Sequence, residues 1–143
     1  MEQTSCIFCK IAAGEIPARV VYQDPDKIAF LDNAPLFPGH VLLCPRQHYE
    51  TLVDLPRQHA GPMMEITQIM ARAVEAAVEA EGTFIAVNNH VSQTVPHLHI
   101  HVVPRRRRDG LRGFFWPRQS YKDEAACEAV RDAIEREVKK LLS

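Results

Sequence analysis

Seven residues, His97-Leu98-His99-Ile100-His101-Val102-Val103, alternate histidine with aliphatic side chains and then run apolar. Successive side chains of a β-strand point to opposite faces. This order therefore predicts a strand with His97, His99 and His101 in one row, about 6.5–7 Å apart. Leu98, Ile100 and Val102 then face the other way, into a core. β-Propensity alone would favour Val, Ile or Thr at the histidine positions, so three imidazoles in a row point to chemistry. Two chemistries can use them. Neutral imidazole is a common metal ligand. Alternatively, one ring is a nucleophile while its neighbours set its tautomer and bind an anion. The second needs donors for phosphate oxygens, and His40, Asn88, Gln93 and Thr94 qualify by residue type.

The rest of the chain reads as a frame for that strand. Residues 6 to 13 suggest a short helix stopped by Gly14. Ala18–Gln23 and Lys27–Leu31 suggest two strands joined by a turn at Asp24-Pro25-Asp26. A proline-stiffened loop at 35–39 leads into an apolar strand, His40–Cys44, ended by Pro45. Ile66, Met70, Val74, Ala77 and Val78 recur at helical spacing, predicting a helix over Pro62–Glu81 closed by Gly82. Thr83–Val87 reads as another strand, and Pro104 should end the histidine strand. Lys122–Leu142 reads as an amphipathic helix with Ala126, Val130, Ile134, Val138 and Leu141 on one face. Five strands with hairpin turns and few helices predict an α+β domain, its sheet mostly antiparallel with helices on one face. A length of 143 residues, 46% of them hydrophobic, suits a single domain over 1–143.

Composition narrows the partners. A formal charge of −1 gives no overall field for nucleic acid or an acidic membrane. Arg105, Arg106, Arg107, Arg108, Arg112 and Arg118 are clustered, but no aromatic residues are interleaved with Arg105–Arg108 as a base-stacking surface would require. No apolar run is long enough to cross a bilayer, and no basic segment leads into an apolar stretch at the start. A cytoplasmic location is expected, where four cysteines need not pair. Cys44 and Cys127 read as small buried residues. Cys6 and Cys9 form a C-x-x-C, whose spacing suits zinc or thiol redox chemistry.

Taken together, these segments resemble the histidine triad (HIT) family. The triad strand matches its pattern His-φ-His-φ-His-φ-φ, with φ apolar. Cys6-Ile7-Phe8-Cys9-Lys10-Ile11 resembles the family's opening segment and Ala29-Phe30-Leu31-Asp32 its ribose-binding strand. Pro38-Gly39-His40-Val41-Leu42-Leu43-Cys44-Pro45 resembles its second histidine segment, and Gln93-Thr94-Val95 its approach to the triad. The resemblance runs in order over about residues 5–104, leaving a C-terminal arm and helix at about 105–143. It implies a five-stranded antiparallel sheet with two main helices, and a homodimer that continues the sheet.

By the same resemblance, His99 attacks the α-phosphorus of a purine nucleotide and forms a nucleotidyl-histidine intermediate. His101 binds the phosphate and protonates the leaving group, with His97 and His40 completing the catalytic set. Gln93, Thr94 and Asn88 border the phosphate, Asp32 accepts the ribose hydroxyls, and Phe8 and Phe30, with Ile7 and Ile11, wall the base. Plain core packing is the competing role for those four apolar residues. Some triad proteins that open with C-x-x-C bind zinc, and the matching ligands here are Cys6, Cys9, His48 and His97. Zinc would then be structural, since a closed tetrahedral shell leaves no place for water. One departure stands out. The family's Asn-x-Gly loop is replaced by the shorter, glycine-free Asn88-Asn89-His90-Val91-Ser92. The implied activity is a nucleotidyl hydrolase or transferase. Its substrate would be a nucleoside phosphoramidate, as in the Hint branch, or a dinucleoside polyphosphate, as in the Fhit branch. The alternative is a zinc-stabilised nucleotide-binding or scaffolding module with little turnover. Arg105–Arg108 admit two roles, a solvated turn paired with the acidic C-terminal helix or a rim for the distal phosphates of a polyphosphate.

Overall fold

A computed structural model describes residues 5–111 and 118–143. Arg112 of the arginine cluster lies outside the described residues. The chain forms two compact units, Met1–Asp109 and Gly110–Ser143. The first contains helix α1 (Ile7–Ala12), strands β1 (Val20–Gln23), β2 (Lys27–Leu31) and β3 (Val41–Pro45), and a 3₁₀ turn at Leu52–Asp54. Helix α2 (Arg57–Val78) and strands β4 (Gly82–Ala86) and β5 (Ile100–Arg105) follow. The second contains helix α3 (Glu124–Leu142), whose amino end is capped by the Asp123 carboxylate accepting the Ala126 N–H. That bond satisfies one of the amides a helix start leaves open.

The five strands make one sheet in the order β1-β2-β3-β5-β4, every pair antiparallel. Alternation along the strands divides the interior in two. Ala29, Val41, Leu43, Ile100 and Val102 pack with Met63, Met70 and Val74 of α2. Ile28, Phe30, Leu42 and Cys44 pack on the other face with Phe8 and Ala12 of α1. The two helices thus cover opposite faces, where the strand pattern alone suggested one. Burying a side chain such as Leu43, which is fully enclosed, contributes about 1.5–3 kcal/mol. Register sets Phe30 beside Leu42 and Leu42 beside His101, one cross-strand row on the α1 face. His101 is placed for chemistry by this row.

Among the boundaries that differ from the sequence expectation, three have a backbone reason. Helix α2 begins five residues before Pro62 and holds this proline inside its second turn. A proline there removes the bond that an N–H would make to the Gln58 carbonyl, just past the amides that are unpaired in any helix. The helix ends at Glu79, which takes the left-handed conformation (φ 55) that a glycine was expected to supply, while Gly82 opens β4. Strand β5 continues through Pro104, at a point where it pairs only with β4, opposite Thr83.

Candidate active site and metal cluster

Of the three triad histidines only His101 lies in β5; His97 and His99 precede it. The alternation still holds: Leu98, Ile100 and Val102 pack in the core beside α2, while the rings of His97 and His99 meet Phe8 of α1 and the centroids of His99 and His101 lie 4.9 Å apart. The approach to β5 spends its main-chain groups elsewhere. The His97 N–H bonds the Val95 carbonyl at 2.8 Å, and the Leu98 N–H bonds the Tyr49 carbonyl at 2.7 Å. The His97 carbonyl accepts from His99 Nδ1 at 2.7 Å.

That last bond fixes the nucleophile candidate. A carbonyl only accepts, so His99 Nδ1 carries the proton and Nε2 keeps its lone pair. The same logic assigns three more rings. His97 Nε2 faces the Pro45 carbonyl at 2.8 Å, so its Nδ1 holds the lone pair. His40 Nδ1 accepts the Leu36 N–H at 3.1 Å, so its Nε2 carries the proton and donates to His101 Nδ1 at 3.0 Å. The proton of neutral His101 is then left on Nε2. Burial pushes all four histidines below their usual range. His97 falls to about 4, helped by His48 and His99, and His101 to about 4, helped by His99 and His40. For His40 and His99 burial also dominates, partly opposed by the Asp32 carboxylate. Four rings that stay neutral through physiological pH can offer one nucleophilic lone pair and one N–H donor side by side.

A cleft of about 220 Å³ opens over His99 and His101. Its apolar wall includes Ile7, Phe8, Ile11, Phe30, Leu42 and Val95, and its polar positions are Asp32, Asn33, Thr94 and the two histidines. Phe8 meets His99 edge to face, ring centroids 5.0 Å apart, and Phe30 at 5.4 Å. Phe8 and Phe30 are also core residues, so packing and cleft lining are the same role here. Among the described residues, no lysine or arginine lines the cleft.

Not every expected residue comes to this cleft. Asn88 bonds the Ser92 carbonyl through its amide at 3.3 Å. Gln93 donates to the Glu50 carbonyl at 2.6 Å and accepts the His90 N–H at 2.8 Å, clipping the 88–93 loop to the segment before the 3₁₀ turn. In that glycine-free loop, His90 and Ser92 both take positive φ, 67° and 61°. The arginine run is also engaged elsewhere. Arg105 pairs with Asp109 at 2.6 Å, Arg107 with Glu81, and Arg106 reaches the Val78 carbonyl near the end of α2. These partners lie within the first unit.

A second cluster backs the triad. Donor atoms of Cys6, Cys9, His48 and His97 all lie within 4.8 Å of one another. His97 Nδ1 stands 3.3 Å from Cys6 Sγ and 3.5 Å from Cys9 Sγ, and His48 Nδ1 stands 3.3 Å from Cys9 Sγ. Burial, then a hydrogen bond and charge repulsion from Cys6, push the Cys9 thiol up to about 11. Two crowded sulfurs facing two imidazole nitrogens, one with its lone pair assigned by Pro45, form a donor set suited to tetrahedral zinc. Asp32, His40 and His101 also gather within 4.8 Å, but His40 Nε2 carries a proton and has no lone pair for a cation. Within that trio His40 donates to His101, and the Asp32 carboxylate stands 3.7 Å from His40 Nε2.

Sequence reasoning did not find Leu36 or the carbonyls of Pro45 and His97, because main-chain groups leave no signature in residue identity. Ile16, Pro17 and Ala18, which complete the cleft wall, carried only the weak signal of an apolar stretch after Gly14.

Comparison with known proteins agrees with this geometry. The HIT domain profile matches residues 13–108. A crystal structure of a Streptococcus mutans protein superposes with a TM-score of 0.85 at 34% identity, covering 94% of this chain and 85% of that one. A zinc-bound histidine triad family protein from Mycobacterium smegmatis gives a TM-score of 0.73 at 35% identity, over 92% and 99% of the two chains. The Arabidopsis thaliana adenylylsulfatase HINT3 is 36% identical over 111 residues, which are 76% of this chain and 56% of that protein. The chain described here belongs to the histidine triad (HIT) family.

Proposed function

We propose that this protein is a nucleotidyl hydrolase or transferase that cleaves at the α-phosphate of a purine nucleotide. The carrying observation is the bond from His99 Nδ1 to the His97 carbonyl, which leaves His99 Nε2 basic beside a cleft with an apolar wall. The base lies against Phe8, Phe30 and Ile11, and Asp32 accepts the ribose hydroxyls. His99 Nε2 attacks phosphorus, giving a nucleotidyl-histidine. His101, held as the Nε2–H tautomer by His40, donates to the phosphate and then to the departing group. Water or another acceptor releases the nucleotide. Thr94 lines the phosphate end, and Asn88 and Gln93 support it through the loop they brace.

The cleft favours a single phosphate. With neutral histidines and no lysine or arginine among the described residues of its lining, it offers little to the distal charges of a polyphosphate. A nucleoside phosphoramidate, or another substrate with one phosphate beside its leaving group, fits better. Kinship with an adenylylsulfatase is consistent with an adenylyl substrate. Cys6, Cys9, His48 and His97 hold a structural zinc ion, which would anchor α1 to the triad and steady His97. The protein works as a homodimer, supported by the exposed Ile69 of α2 and Ile85 of β4.

The test is acid quenching during turnover of a nucleoside phosphoramidate, followed by mass spectrometry. Wild-type protein should carry a nucleotidyl adduct on His99. His99→Ala should bind nucleotide and lose turnover, because binding and covalent attack are separable. Appreciable turnover by that variant would overturn the mechanism.

A further inference from the structure

We propose that Cys6 and Cys9 are also a reversible oxidation site, at which a disulfide replaces the metal and slackens the nucleophile. The inference rests on the zinc reading above. Both sulfurs lie within 3.5 Å of the same atom, His97 Nδ1, on the two ends of the first turn of α1. The Cys9 N–H already reaches Cys6 Sγ at 3.4 Å. Cys6 has extended backbone (φ −76, ψ 118), so it can adjust without unwinding the helix. Cys6 is fully buried while Cys9 keeps partial access to solvent, which orders the chemistry.

A peroxide meets Cys9 first. Cys9, a thiolate in the zinc-bound state, attacks one peroxide oxygen, the O–O bond breaks, and sulfenic acid and hydroxide result. The Cys6 thiolate then attacks the Cys9 sulfur, forming the S–S bond and expelling a second hydroxide. Two thiolates have lost two electrons and one peroxide has gained them. The two products exclude each other sterically and electronically. Two sulfurs on one tetrahedral zinc stand about 3.8 Å apart, each anionic at a bond length of about 2.3 Å. In a disulfide they stand about 2.05 Å apart and carry no charge. Zinc left with His48 and His97 alone departs as the hydrated ion. His97 then keeps only the Nε2 bond to the Pro45 carbonyl and loses the anchor at Nδ1, and its own carbonyl is the group that holds His99. Cys6 is the partner of Cys9 because both sulfurs face one atom, His97 Nδ1.

The experiment uses the full chain as purified from zinc-supplied cells. Metal content is measured first, and then hydrogen peroxide is titrated against a chromogenic zinc chelator. The expected result is release of the bound zinc in step with loss of two hydrogens from the intact mass. Peptide mapping should place the new bond between Cys6 and Cys9. Turnover of a nucleoside phosphoramidate should fall about tenfold or more, as for other disturbed ligand supports. Dithiothreitol with added zinc should restore both metal and turnover. Cys127→Ser should behave as wild type, and Cys6→Ser should lack metal from the outset and form no intramolecular bond. Zinc retained while peroxide oxidises other residues would overturn the oxidation site and leave the metal site standing. A chain isolated without zinc would overturn the metal reading itself.

Discussion

Replacing His40 with phenylalanine isolates the tautomer argument. His40 is 3% exposed, and its two nitrogens bond the Leu36 N–H at 3.1 Å and His101 Nδ1 at 3.0 Å. His40→Phe keeps a flat ring of similar size and leaves both partners unpaired. Each polar group so orphaned costs about 1–3 kcal/mol when buried, partly offset by the added apolar surface, so a net loss of about 1–3 kcal/mol in stability is expected. The kinetic effect is separable. One hydrogen bond contributes a net 0.5–1.5 kcal/mol or so, and about 1.4 kcal/mol is tenfold. Releasing His101 to the other tautomer should therefore slow acid-assisted departure by about three- to tenfold. Loss of the acid altogether would cost roughly 10²–10⁴. The assay compares nucleoside phosphoramidates whose leaving amines span a range of basicity. Strongly basic amines should lose about tenfold in kcat, weakly basic ones much less, with nucleotide affinity little changed. Equal losses across the series, or none, would refute the assignment of His40 as the group that sets His101.

Four further outcomes follow from the same geometry. Cys6→Ser should remove about one bound zinc per chain and lower the melting temperature, as measured by metal analysis and calorimetry. Attack needs neutral His99, whose pKa burial holds below the ordinary value of about 6.5. Activity is thus retained on the alkaline side and lost as pH falls, and the acid limb of kcat/KM should lie below pH 6.5 or so. His90→Gly should be neutral or stabilising by up to about 1 kcal/mol, because φ 67 suits glycine and the ring is exposed; thermal melts would show it. Replacing Arg106 and Arg107 together with Ser should lower stability by less than about 1 kcal/mol and leave phosphoramidate turnover within a factor of two or so, since their partners are Val78 and Glu81.

Sequence periodicity carried most of the sheet, because burial on two faces writes itself into alternate residues. Ile28 and Phe30 go one way and Ala29 the other, and Leu42 and Cys44 likewise oppose Val41 and Leu43. It misled where a main-chain bond overrode a side-chain preference. Pro62 looked like a helix start and Gly82 like a helix stop, yet α2 tolerates the proline and ends on a left-handed Glu79. Residue types in the site were legible, and so was the set Cys6, Cys9, His48 and His97 that the structure gathers. The positions of Asn88 and Gln93 were not. An amide can serve a phosphate or a carbonyl equally well, and only the path of the 88–93 loop shows that these serve carbonyls.

The rings of His97, His99 and His101 lie on one side of the chain, His97 and His99 against Phe8 and His99 against His101, yet their main-chain partners make them do three different things. Here the chain leaves the ladder before Ile100, and the His97 carbonyl is free to accept from a side chain. One residue then serves two sites at once. Its ring turns towards two sulfurs and a second imidazole, and its carbonyl sets the proton on the neighbouring nucleophile. Stiffening the ring stiffens the carbonyl by way of one Cα. A change at the cysteines therefore reaches His99 without touching the cleft wall, whereas His40 acts on His101 through a separate path from Leu36. Disturbing the metal cluster should lower the competence of the nucleophile, and disturbing His40 should lower that of the acid. Because the rings of His99 and His101 touch, the combined defect measured against the two single ones reports how strongly nucleophile and acid are coupled.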